Sequence, residues 1–316
     1  MANDKIAVIG AGNVGAAAAQ MLADRDLGDI VLLDIVKGLA QGKALDISQI
    51  GGIWPRHFRL AGTTEWERTA DSKIVIVTCG LPRKAGMSRD DLLVKNVQIV
   101  REVSRNIAKY CPAAVIIVVC NPLDAMVYAA AKVTGFAREK VIGMAGALDC
   151  ARFNYFLGCE LGVSSEEITS VLMGGHGDDM VPLARFTSVS GIPITELLDE
   201  QKISSIIERT RKGGIEIVNL LGHSAYYAPA AGVVKMTEAI LKDSKTIVPC
   251  CAYCENEYDV GGYYIGVPAI LGKNGVERVL ELRLTSSERT QFDKSLKHVR
   301  ELAAKIEEIL ERIMPS

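Results

Sequence analysis

Apolar residues in the first half of the chain come in short β-branched blocks rather than in strict alternation. The blocks are KIAVIG (5–10), DIVLLDIV (29–36), SKIVIVTCG (72–80), AAVIIVVC (113–120) and KVIGMAG (140–146). Runs that are apolar throughout suit strands covered on both faces, and such strands belong to parallel sheets. Between the blocks lie stretches with helical character. One is the alanine-rich VGAAAAQMLADRD; another is 92–110, where Leu93, Val97, Val100, Val103 and Ile107 recur close to a 3.6-residue period. Strand and helix in alternation, joined by right-handed crossovers, predict a doubly wound α/β (Rossmann) domain over residues 1–147.

The pattern changes after about residue 148. Helical periods at 200–221 and 225–242 precede the apolar run TIVPCCAYC (246–254). Two further apolar runs flank Lys273-Asn274-Gly275, and Asn-Gly in that setting predicts a hairpin. Antiparallel strands beside helices give a second, α+β domain over 148–316. It ends in a helix that Thr285 and Glu288 open with capping-box spacing. The stripe Phe292, Leu296, Val299, Leu302, Ile306, Ile309 and Ile313 on that helix reads as core or subunit packing.

Composition narrows the function classes. The chain has 316 residues, enough for two domains, with a net charge of -2 and no basic block, which argues against nucleic acid as a partner. The longest apolar run, 113–120, is far too short to span a membrane. The segment MANDKIAVIGAG enters a strand without a secretory leader, so a cytoplasmic location is expected. Eight cysteines are scattered; Cys250, Cys251 and Cys254 contain one Cys-x-x-Cys and no second pair, so no metal site is expected and reduced thiols are.

Residues 10–15 read GAGNVG, directly after a strand and opening a helix. In a GxGxxG turn the first glycine, Gly10, permits the tight turn. Gly12 lets a pyrophosphate approach the backbone, and Gly15 lets helix pack on strand. The helix N-terminus then offers N–H groups and a positive dipole end to phosphate. An acid is expected about 20 residues on, and Asp34 stands there to accept hydrogen bonds from ribose hydroxyls and to repel a 2'-phosphate. That favours NAD over NADP, a preference tempered by nearby Lys37.

A second set of residues carries different chemistry. The loop in TCGLPRKAGMSRDDLL (78–93) carries Arg83, Lys84 and Arg89, with Gly80 and Gly86 around the first two, as a lid or as a solvated basic loop. Asn121-Pro122 ends a buried strand, where the asparagine caps a helix or binds a ligand oxygen. Asp149 and Arg152 share a helical face, as a plain ion pair or as an acid orienting a histidine beside a carboxylate-gripping guanidinium. His176, one of four histidines, sits in MGGHGDDM (173–180). Small neighbours would let a substrate and a nicotinamide ring come close to an imidazole that takes a hydroxyl proton.

Taken together, GAGNVG, LLDI (32–35), GLPRKAGMSRDDLL (80–93), NPLD (121–124), LDCARF (148–153), GGHGD (174–178) and SAYYAPAAG (224–232) resemble the NAD-dependent lactate/malate dehydrogenases, most closely the malate branch, over essentially the full length. The resemblance implies that His176 is the proton donor and acceptor, with Asp149 as its orienting partner. It implies that Arg152 binds the carboxylate beside the reacting carbon, that Arg89 polarises the carbonyl when its loop closes, and that Arg83 binds a second carboxylate. Asn121 would contact the substrate oxygen near the nicotinamide. Gly10, Gly12, Asn13, Val14, Gly15, Asp34, Asn96 and Asn121 would hold NAD. Arg83 stands where the lactate branch carries glutamine, so a dicarboxylate, malate or oxaloacetate, is implied over lactate; the alternative is a lactate or broad 2-ketoacid dehydrogenase. The family forms dimers and tetramers, so a homodimer or homotetramer is implied. The chain departs from the pattern at His223, where a small residue is expected.

Overall fold

The computed structural model describes residues 4–54, 58–81 and 89–313. The first half alternates as expected: β1 (Lys5–Ile9), α1 (Asn13–Asp24), β2 (Asp29–Leu33), α2 (Leu39–Gln49), β3 (Leu60–Thr63), β4 (Ile74–Val77), α3 (Arg89–Tyr110), β5 (Val115–Val118), α4 (Leu123–Thr134) and β6 (Val141–Gly143). All six strands pair in parallel, in the order β3-β2-β1-β4-β5-β6. Successive side chains of these strands enter different cores. Ile6, Val8, Ile74 and Ile76 pack on one face, and Ala7, Ile9, Val75 and Val77 on the other. Burial on both faces is the physical reason that the blocks are apolar throughout.

Each of the five apolar blocks contains a strand, and β3 is the one the pattern did not flag. Leu60-Ala-Gly-Thr63 has a single large apolar residue and lies at the sheet edge beside α2. A Cβ on Gly62 would fall 2.2 Å from the Ala40 carbonyl oxygen, so close backbone approach rather than side-chain burial defines this strand.

The second half comprises α5 (Gly146–Leu161), β7 (Ile168–Thr169), β8 (Leu172–Gly174), β9 (Met180–Pro182), β10 (Ser188–Val189), β11 (Ile192–Pro193), α6 (Ile194–Leu197), α7 (Glu200–Leu221), α8 (Tyr227–Leu241), β12 (Thr246–Cys254), β13 (Tyr263–Gly272), β14 (Gly275–Val279) and α9 (Ser286–Ile313). Gly272 pairs with Gly275 across the turn, so the hairpin forms where Asn-Gly predicts it. Strands β7 to β11 have two or three residues each, too few for periodicity to reveal.

The two halves share one sheet. β12 joins the antiparallel way at Cys251↔Gly143, and β13, β8 and β9 follow. β13 meets β8 at Gly266↔Gly174, which ties the segment before His176 to the main sheet. The stripe on α9 packs into the core: Phe292, Leu296, Val299 and Ile306 are buried, and Leu302, Ile309 and Ile313, partly buried, pack against the core that holds Ile306. Its capping box is formed, with the Thr285 N–H donating to Glu288 Oε2 at 2.8 Å and the Glu288 N–H to Thr285 Oγ1 at 3.3 Å.

Candidate functional site

The glycine turn joins β1 to α1, and its three glycines have three different surroundings. Gly10 has φ +103°, a backbone region that disfavours side chains. On Gly15 a Cβ would lie 1.8 Å from the Gly10 carbonyl oxygen, so only glycine lets α1 seat on the turn. On Gly12 a Cβ would meet nothing within 4 Å, leaving the space that a ligand's phosphates need. Asn13 and Val14 open α1, and Gly12 at the N-cap brings no side-chain cap, so first-turn N–H groups are left for a ligand. Thr78, after β4, clamps the turn by donating to the carbonyls of Ile9 and Gly10 at 3.1 and 3.0 Å.

Asp34 follows β2 and is aimed by backbone. Its Oδ2 accepts the Ala11 N–H at 2.7 Å and its Oδ1 the Val36 N–H at 2.9 Å. Each oxygen keeps lone-pair capacity for a hydroxyl. These residues fit a dinucleotide. Lys43 on α2, not singled out by the sequence, places its Nζ 3.4 Å from the Gly12 carbonyl oxygen.

α5 starts just beyond β6 and carries Asp149 and Arg152 one turn apart. Asp149 Oδ2 lies 3.0 Å from His176 Nδ1, and Asp149 Oδ1 lies 3.7 Å from Arg152 Nη1. The Asp149 side chain is 4% exposed, while those of Arg152 and His176 keep 13% and 17%, so the acid is sealed and the other two reach the surface of the site. Burial works against the imidazolium, but the charge and hydrogen bond of Asp149, joined by the charge of Asp124, outweigh it and raise His176 above the ordinary histidine value. Burial lowers the Arg152 guanidinium, with Asp149 opposing.

The glycines around His176 do more for the protein's own backbone than expected. Gly174 and Gly177 have φ +81° and +89°. A Cβ on Gly174 would lie 2.8 Å from the Asp179 carbonyl oxygen and 2.9 Å from Ser295 Oγ. Only at Gly177 is the Cβ direction open. The loop is held from below, the Gly175 N–H donating to Ser295 Oγ at 2.7 Å and the His176 N–H to Asp124 Oδ2 at 3.0 Å.

Asn121 is exposed at the end of β5, and its bond to Pro122 is cis. Asn96 is buried at 2% exposure. Its Oδ1 accepts the Leu81 N–H at 2.8 Å and its Nδ2 donates to the Asn121 carbonyl at 2.8 Å, so it ties the start of the arginine loop to the Asn121 backbone. Arg83 lies outside the described residues, as does the Arg89 side chain; the Arg89 backbone heads α3.

Sequence reading passed over Thr78, Asp124, Ser295 and a glycine pair inside α7. A Cβ on Gly213 would lie 3.4 Å from Arg152 Cδ, and one on Gly214 3.7 Å from Arg152 Nη2. Two glycines mid-helix were the available signal, since each costs helix stability. His223 is exposed, its ring centroid 5.6 Å from that of Tyr226. His298 is exposed and pairs with Asp179; His57 lies outside the described residues. Cys250, Cys251 and Cys254 are buried, and burial pushes the Cys250 thiol up to about 12. Among the described residues no group of three or more His, Cys, Asp or Glu side chains is placed to hold a metal ion.

Known proteins resemble this chain over nearly its whole length. Residues 4–143 match the family model for the lactate/malate dehydrogenase NAD binding domain, and residues 146–313 match that for the lactate/malate dehydrogenase alpha/beta C-terminal domain. A malate dehydrogenase of Rhodopirellula baltica is 53% identical over 313 residues, 98% of this chain and 99% of that one. The apo malate dehydrogenase of Picrophilus torridus matches with TM-score 0.96 and 45% identity, covering 99% of this chain and 100% of that one. The Cryptosporidium parvum lactate dehydrogenase complexed with lactic acid and β-nicotinamide adenine dinucleotide matches with TM-score 0.93 and 40% identity, covering 97% of this chain and 99% of that one. With both domains matched in order and relatives similar over nearly the whole length, the chain belongs to the lactate/malate dehydrogenase family.

Proposed function

We propose that this chain catalyses the reversible, NAD-dependent oxidation of (S)-malate to oxaloacetate. The observation that carries the reading is the buried carboxylate of Asp149, 3.0 Å from His176 Nδ1 and on the same helical face as Arg152. An ionised carboxylate only accepts, so the imidazole proton sits on Nδ1 and Nε2 is left as the base. In malate oxidation Nε2 takes the hydroxyl proton, and the imidazolium formed is stabilised by Asp149. In oxaloacetate reduction the imidazolium returns that proton to the carbonyl oxygen. NAD, which would supply the hydride acceptor when bound, would be held by Gly10, Gly12, Asn13, Val14, Gly15 and Asp34, and Asn121, braced by Asn96, would lie on the nicotinamide side. Arg152 grips the carboxylate beside the reacting carbon in bidentate fashion. Arg89 polarises the carbonyl, and Arg83 pairs with the second carboxylate.

Because family members that act on lactate and on malate share this fold, substrate choice rests on Arg83. A guanidinium in a closed pocket without a partner strands a charge at a cost of several kcal/mol, roughly a thousandfold in discrimination. Purified protein should oxidise NADH rapidly with oxaloacetate and slowly with pyruvate, and Arg83→Gln should move the preference toward pyruvate. Undiminished oxaloacetate turnover in Arg83→Gln would remove Arg83 from this role.

The same reading takes the functional division of the chain near residue 147 and a homo-oligomeric state, dimer or tetramer. Exposed Leu45, Ile53 and Trp54 around α2, and Ile215, Leu220 and Leu221 on α7, support the latter. Sedimentation of the purified protein tests it. A cytoplasmic location is supported by eight cysteines that are all free thiols. Among the described residues no helix is long and apolar enough to cross a membrane.

A further inference from the structure

One buried acid at the site has no part in the chemistry above. Asp124 occupies the first turn of α4 and is 8% exposed. Its Oδ2 accepts the backbone N–H of His176 at 3.0 Å, across 52 positions of sequence. Gly175 is small where it passes this carboxylate: a Cβ there would lie 3.4 Å from the same oxygen. From β12, Cys251 faces the acid and keeps its proton, burial and the Asp124 charge both raising the thiol. Ser295, from α9, completes the support of the loop without contributing charge.

From this arrangement we infer that Asp124 is a second carboxylate of the proton-transfer site, a positioning residue that fixes the His176 backbone and sets a buried negative charge beside the imidazole. The inference rests on His176 being the proton donor and acceptor. Asp149 and Asp124 then hold the residue from two sides, one through the ring and one through the main chain. Among the described residues, the charged and titratable groups that act most strongly on His176 are Asp149, Asp124 and Arg152, and those that act most strongly on Asp124 are His176, Cys251 and Asp149. The Asp124 carboxyl lies above the ordinary aspartate value: burial raises it most and the Asp149 charge adds to that, while the His176 N–H, Cys251 and the imidazolium charge draw it down. Protonation of His176 and ionisation of Asp124 therefore favour each other.

Asp124→Asn separates charge from position, because an amide oxygen can accept the same N–H. Imidazole resonances of the full-length protein are titrated by NMR, with the His176 signal assigned by its loss in His176→Asn. Asp124→Asn should move the His176 titration to lower pH, a loss of roughly threefold or more in proton affinity. Ser295→Ala, which removes a loop hydrogen bond and no charge, should leave it in place. The inference is overturned if the Asp124→Asn curve coincides with that of the parent, or if Ser295→Ala shifts it equally. Should Asp124→Asn fail to fold, Asp124→Ser carries the same readout with the same two outcomes. Failure of the underlying reading looks different: His176→Asn would keep turning over oxaloacetate whatever the Asp124 titrations show.

Discussion

Asp149 and His176 stand 27 positions apart in sequence and 3.0 Å apart in space, Oδ2 to Nδ1. The separation is closed by two independent routes. α5 carries Asp149 out of the parallel sheet at β6, and β13 pins the segment before His176 at Gly174. Neither route involves the two side chains themselves, so their contact is imposed by the fold and does not have to hold the fold together.

Substitution at the pair should therefore cost turnover far more than stability. His176→Asn removes the proposed base and should reduce kcat by on the order of a thousandfold, the scale of general acid–base catalysis. Asp149→Asn keeps a polar group against Nδ1 but presents the wrong proton inventory, and should also lower kcat by orders of magnitude. NADH affinity, read by fluorescence titration, should change little in either variant.

The raised proton affinity of His176 fixes the direction of the pH dependence. If His176 is the proton donor as proposed, oxaloacetate reduction uses the imidazolium, so its kcat/KM should be full below the raised value and fall as pH rises through it. Malate oxidation needs the neutral ring and should show the opposite limb. The dyad's contribution to stability has the same sign as reduction. It is fully present below the ordinary histidine range and is lost as pH rises through the raised folded-state value. Asp149→Ala should flatten that loss in thermal melts taken across the same range.

Gly12 and Gly15 should respond oppositely to alanine. At Gly15 the added methyl would collide with the Gly10 backbone, so the variant should lose about 1–3 kcal/mol of stability as α1 is pushed away. At Gly12 the methyl meets open space and the backbone is in an ordinary region, so the melting temperature should hold. NADH binding should nonetheless weaken at least tenfold. Calorimetric melts and cofactor titration on the two variants separate a packing glycine from a ligand-approach glycine.

Gly213 lies buried inside α7, where a methyl would meet Arg152 and Phe156 at 3.4 and 3.6 Å, ordinary contact distances. Helix propensity should then decide the outcome, and Gly213→Ala should gain up to about 1 kcal/mol. A drop in melting temperature would show that the Arg152 stem needs that space.

Two elements show what limits reading from the linear chain. β5 was evident because four consecutive residues, Val115 to Val118, are buried on both faces and so must all be apolar. β3 was not: it pairs with β2 at the sheet edge, but it has one large apolar residue, and Gly62, where α2 passes close by, leaves no periodic signal. Asn96 behaves likewise: its residue type was visible, but its use as a brace between Leu81 and Asn121 depends on partners 15 and 25 positions away.

By itself the amino-acid order determined the alternation of strand and helix, the glycine turn with its acid at Asp34, and the candidacy of His176, Asp149 and Arg152. Those features are local: a hydrophobic period, a turn that only glycine can make, a spacing along one helix. Tertiary structure alone decided which groups meet. It set Asp124 and Ser295 beneath the His176 loop from 52 and 120 positions away, and it made the glycines of that loop serve backbone packing as much as ligand access. Contacts of that range depend on where the sheet ends and how its helices cross, which no short stretch of sequence encodes.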